Sequence, residues 1–176
     1  MKWKEWLEKW GMTSLKIKTP FLEMDWAPKD EDKDGAWELY IELLTRITTQ
    51  QLPSEHGDEA VALDSVYALF GLTREVIKRR GRLCMEFSKI AIVMLNQKVR
   101  PFSAKWHRAI NAGAFDDPRK CKQFRAELAE LQSVLGVYTK MLADMAGIED
   151  ISELEEVEGI TSSRGGGSAR AGEFGH

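Results

Sequence analysis

The sequence has little of what most reaction chemistries require. It holds two cysteines, Cys84 and Cys121, in 176 residues. No CxxC or HExxH spacing occurs, so zinc fingers, thiol redox pairs and zincin-type metal sites are not expected. Each cysteine falls inside a helical pattern, and both read as small buried hydrophobes. Histidine is also scarce, three in all. There is no glycine-rich phosphate loop, no GxSxG and no EF-hand loop. No metal or other cofactor is expected. No run of 18 apolar residues occurs, so no membrane span is expected. The first residues, MKWKEWLEKWG, lack the apolar centre and small-residue cleavage site of a signal peptide, and a cytoplasmic location is the expectation. The five prolines are also few, and most fall where a helix should start or an extended segment should break.

What remains is dominated by helical periodicity. Hydrophobic residues make up 43% and charged residues 30% of a chain long enough to bury its own core. Trp37, Tyr40, Leu44 and Ile47 align on one face of a helix over 32–51, with Asp32 or Asp34 as its N-cap. Leu63, Val66, Phe70 and Ile77 do the same over 58–80, with Gly81 as a stop. Residues 82–99 are apolar nearly all round, through Phe87, Ile90, Ile92, Val93 and Leu95, which predicts a central helix. Phe124, Leu128, Leu131, Leu135, Tyr138 and Leu142 stripe a long helix over 117–146, capped by Asp117, opened by Pro118 and closed by Gly147.

The short connections between these segments predict an all-α fold, an antiparallel bundle with a four-helix core. Three smaller pieces accompany it. Residues 2–10 form a short N-terminal helix with Trp3, Trp6 and Trp10 on one face, which either docks on the core or binds a partner. SLKIKTPFLEMDWAPKD alternates with a period of two and reads as an extended arm. Pro101 opens a short helix ending near Gly113, expected on the outside or at an end of the bundle. Residues 1–158 form one domain, and 159–176, rich in Gly and Ser, read as a flexible linker or tag-like tail.

Charge is unevenly placed. Ten basic and two acidic residues lie between Arg74 and Arg108, a local charge of +8, which leaves −11 for the rest of the chain. Arg79, Arg80, Arg82, Lys98, Arg100, Lys105 and Arg108 are candidate anion-binding residues. The bland alternative is internal neutralisation, with the basic turn KRRGR sitting at a helix C-terminus where the dipole favours cations. His56 lies in a loop and reads as a solvated residue.

Within the basic window, KVRPFSAKWHR holds Arg100 and His107 in R-x6-H spacing. A histidine can move a proton near neutral pH, and an arginine beside it can hold a phosphodiester. Ser103 and Lys105 lie close enough in sequence to add donors. Phe102, Trp106 and Ile110, by contrast, already explain a helix here as packing. An Arg and a His so spaced near the start of a late bundle helix resemble the HEPN superfamily. That resemblance implies metal-independent RNA cleavage with Arg100 and His107 as catalytic residues, in a bacterial toxin or defence setting. The chain departs from the family's pattern in Pro101 and in the full helix that follows. The leading expectation is a non-enzymatic helical binding module, a small component of a bacterial multi-protein or defence-type system. A metal-independent endoribonuclease and a nucleotide-sensing helical domain are the alternatives. Candidate partners are RNA or another nucleic acid, an anionic nucleotide, a protein partner, or a second copy forming a homodimer.

Overall fold

The structure is a computed structural model and describes residues 8–9, 27–46, 52 and 58–152. Residues 14–26 of the predicted arm, the tail, and Trp3, Trp6, Trp10, Ile47 and His56 lie outside the described residues; of the rest of the arm, 27–29 form no regular element and Asp30 already opens a helix. The described chain is all-α: α1 (Asp30–Leu44), α2 (Glu59–Arg80), α3 (Met85–Met94), α4 (Arg100–Ile110) and α5 (Pro118–Ala146), with no strand among the described residues. Local chemistry sets most boundaries. The Asp58 carboxylate accepts from the Ala60 and Val61 amides at the start of α2. Asp117 accepts from Arg119 N, and Pro118 follows in the first turn of α5, where its missing N–H has no helical partner to lose. Gly147 ends α5 in the left-handed region, φ 70°, which a side-chain-bearing residue would resist.

α1 stops at Leu44, with Thr45 as its C-cap, short of the expected residue 51. Two further boundaries differ from expectation. Neither Asp32 nor Asp34 caps α1; Lys29 holds the N-cap position. Asp32 sits one turn in and is buried, 1% exposed. Its Oδ2 accepts from Lys29 N at 2.9 Å and its Oδ1 from Phe87 N at 2.9 Å. One carboxylate thus satisfies orphan amides at the N-termini of both α1 and α3, where the dipoles favour negative charge. The two helices also approach closely here, since a Cβ on Gly35 would stand 3.0 Å from Phe87 Cδ1.

The second correction concerns Pro101. It does not begin a separate helix on the outside of the bundle. The chain runs from α3 through a π-helical turn, Leu95–Val99, straight into α4, with Arg100 N donating to Leu95 O. In an ordinary α-helix the Pro101 ring would collide with the carbonyl four residues back, and that carbonyl would lose its donor. The widened turn just before the proline relieves both. Phe102, Ser103 and Trp106 are buried as a result.

The helices alternate in direction. Arg80, at the end of α2, reaches back to Asp34 near the start of α1 at 2.9 Å. Phe70 faces Arg100 while Tyr67 faces His107, so α2 and α4 are antiparallel. Trp106 meets Glu127 and Phe124 early in α5. Leu95 and Val99, earlier on the α3–α4 rod, line the bundle interior with Leu135 and Tyr138, further along α5. α1 and α5 share the largest helix–helix contact.

All six stripe residues of α5 are buried, as are Tyr40, Leu43, Leu44, Leu63, Val66, Phe87 and Ile90. Phe70 and Ile77 are only partly buried against this core. Trp37 turns outward, 47% exposed, and stacks on Tyr40. The predicted all-round burial of residues 82–99 does not hold: Met85 and Ile92 are 53% and 48% exposed, because α3 covers the core with one side only. A cavity of about 10 Å³ remains beside the π turn, between Leu39, Leu43, Leu69, Thr73, Leu135 and Tyr138. Burial pushes the Tyr138 hydroxyl well above its ordinary pKa.

Candidate functional site

Two of the four cations of the basic turn are neutralised by α1. Arg79 and Arg80 both pair with Glu38, and Arg80 also pairs with Asp34. Lys105 pairs with Glu127, at 2.6 Å to Oε2, and its ammonium lies 5.2 Å from the Trp106 ring centre. Glu127 also accepts from Trp106 Nε1 and from Gln123, both at 3.0 Å. Burial alone would raise the Glu127 pKa, but the bonds from Lys105, Gln123 and Trp106 outweigh it and hold the carboxyl below its ordinary range. Lys105 therefore belongs to the α4–α5 contact, together with the rings of Phe102, Trp106, Phe115 and Phe124.

The other candidate cations keep their charge. Arg82, Lys98, Arg100 and Arg108 form no ion pair among the described residues. Arg100 donates from Nε to Asn96 Oδ1 at 3.0 Å and carries its guanidinium 5.1 Å above the Phe70 ring. Both contacts are neutral, so they orient the group without cancelling its charge. Arg74, absent from the expected anion-binding set, is held the same way, from Nε to Phe70 O at 3.1 Å. Phe70 thus organises two arginines, one through its ring and one through its carbonyl.

Tyr67 was also missed. It stands one turn before Phe70 and is 55% exposed. Its ring meets His107 edge-on, centroids 4.9 Å apart at 80°, and Phe70 at 5.7 Å. A Phe and an Arg one and two turns after an outward-facing Tyr on α2 was the available sign.

Arg100 and His107 share one side of α4, two turns apart, about 10 Å along the axis. Each is engaged with its own ring, Phe70 or Tyr67. The His107 Nε2 is enclosed and has no hydrogen-bond partner among the described residues. Ser103 is buried, and Lys105 is tied to α5, so neither joins the pair. Cys84 is buried, with its thiol 3.2 Å from Gly81 O. Burial and nearby carboxylates raise the Cys121 pKa, which keeps that thiol protonated and weakly nucleophilic. Among the described residues no group of three His, Cys, Asp or Glu could hold a metal ion, and no helix is long and apolar enough to cross a membrane. Lys9 pairs with Asp144 on α5 at 3.1 Å. No protein-family model, curated protein or solved structure matches this chain.

Proposed function

We propose that this chain is a helical binding module whose α2–α4 face receives an anionic partner. One observation carries this above the others. Arg74 and Arg100 both meet Phe70, one at its carbonyl and one over its ring, and are oriented by neutral acceptors, that carbonyl and an asparagine oxygen, which leave their charge uncancelled at the surface. Paired arginines such as Arg80 are spent on the fold. Arginines positioned but not neutralised are suited to bind charge from outside. Lys78, exposed one turn after Arg74 on α2, borders the same face and adds to its field. We attach no cleavage chemistry to Arg100 and His107, because an enclosed Nε2 and a guanidinium seated on its own ring do not favour joint work on one phosphate.

Heparin chromatography of the full chain tests this. Wild-type protein should be retained, and Arg74→Glu with Arg100→Glu should elute at clearly lower salt. Arg79→Glu should change elution far less, since Glu38 already offsets that charge. Equal retention of wild type and the Arg74/Arg100 double variant would remove the α2–α4 face from consideration.

A further inference from the structure

We infer that the anionic partner is a single-stranded nucleic acid, with a base stacked on Tyr67 and the adjoining phosphates on Arg74 and Arg100; this rests on the α2–α4 face being the anion surface. Charge alone would suit any polyanion. The arrangement of rings is more particular. Tyr67 is more than half exposed, yet His107 meets it edge-on at 4.9 Å and Phe70 braces it at 5.7 Å. An exposed aromatic held from two sides loses little side-chain freedom on binding, which suits a stacking platform. The enclosed, unpartnered Nε2 of His107 fits that bracing role.

The ground beside the platform is open. Gly71 lies one turn after Tyr67 and one before Arg74, and a Cβ there would meet nothing within 4 Å. On α4, Ala104 is exposed between Arg100 and His107 and offers no bulk. Planar groups can therefore lie along the strip from Tyr67 toward Arg74 and Lys78. At the other end Asp64, exposed one turn before Tyr67, discourages phosphate and sets a limit. A duplex keeps its bases stacked inside and could give this surface only phosphates. An acidic peptide would engage the arginines and leave the ring unused. An unpaired strand uses both the ring and the cations.

Fluorescence anisotropy with labelled oligouridylate, oligothymidylate and a hairpin duplex distinguishes these cases, using the full chain. The single strands should bind and the hairpin should bind at least tenfold more weakly. Contacts from Arg74 and Arg100, with or without Lys78, to two or three phosphates predict a log–log salt slope of about −1.5 to −2. Tyr67→Ala should weaken binding by about tenfold, and Tyr67→Phe should restore it, because the stacking face is kept. Gly71→Glu places a carboxylate on the strip in open space, so circular dichroism and melting should stay near wild type while single-strand binding is lost. If Tyr67→Ala leaves single-strand affinity unchanged, or the hairpin binds as well as the single strands, base stacking is refuted and the general anion surface survives. If neither heparin nor any oligonucleotide binds, both proposals fall together.

Discussion

Asp32 offers the most severe test of how this fold is held together. Replacing it with Ala removes two acceptors at once, one from Lys29 N and one from Phe87 N, each at 2.9 Å. Phe87 is completely buried, so its amide has no route to water and becomes an orphaned donor. Hydrogen bonds to a charged acceptor contribute about 1.5–3 kcal/mol, and an unsatisfied buried donor costs about 1–3 kcal/mol. Against this, Ala avoids burying a carboxylate that is only 1% exposed, which offsets part of the loss. The net destabilisation should be about 2–4 kcal/mol. Asp32→Asn keeps one acceptor oxygen but turns its amide toward the other donor, so it should fall between wild type and Ala. Urea unfolding followed by far-ultraviolet circular dichroism reads this as a lower midpoint with an unchanged slope. A loss below about 0.5 kcal/mol for Asp32→Ala would refute the shared-cap account. Equal losses for Ala and Asn would show that charge, rather than the two directed bonds, matters there.

Two further outcomes are expected. Gly35→Ala should destabilise by about 1–3 kcal/mol, because the added methyl meets the Phe87 ring at 3.0 Å and that ring is fully enclosed, whereas Gly71→Ala, in open space on α2, should stabilise by about 0.5–1 kcal/mol through helix propensity alone; the same urea assay compares them. Glu127 has a depressed pKa in the folded state, so its contribution is present above its ordinary value of 4.5 and is lost as pH falls through the lower folded value. Lys105 is half exposed, which limits that contribution to about 1 kcal/mol or less. Glu127→Gln should flatten this part of the acid limb in melting measurements taken as the pH falls below 4.5.

Periodicity made the helices legible. The α5 stripe is buried at every position that a 3.6-residue repeat selects, and Asp117, Pro118 and Gly147 bracket it as local chemistry requires. Hydrophobicity without its tertiary neighbours was less informative. Ile92 and Met85 are as apolar as Ile90, yet they stay about half exposed on the side of α3 that faces away from the core. Trp37 follows the repeat and still faces outward, stacked on the outer edge of the core through Tyr40. Pro101 marked a boundary by the usual rule, and a π turn cancelled it. Asp32 resembled an N-cap because it stands near a helix start; its partner Phe87 lies 55 positions away, beyond any local pattern.

The same distance problem governs the candidate site. A window of charge between Arg74 and Arg108 treats its cations as equivalent, but apart from Glu86, which pairs with Lys89, the carboxylates that divide them lie outside it. Asp34 and Glu38 precede the window and reach Arg79 and Arg80 only because α1 and α2 pack antiparallel. Glu127 follows it and reaches Lys105 only because α5 folds back along α4. Density of charge in the sequence pointed to KRRGR, the part of the window most occupied by internal pairing. Arg74 stands alone in its stretch of sequence, and Arg100 was marked for catalysis with His107 as well as for anion binding. They become neighbours through Phe70, a residue that reads only as core. A surface can be distinguished from a neutralised network by what holds each arginine in place. Where the acceptor is a carboxylate, an incoming anion must displace it; where it is a carbonyl or amide oxygen, the charge remains unspent and an anion can be added without breaking a pair. By that criterion the face between α2 and α4, rather than the more basic turn after α2, is where binding variants should have their effect.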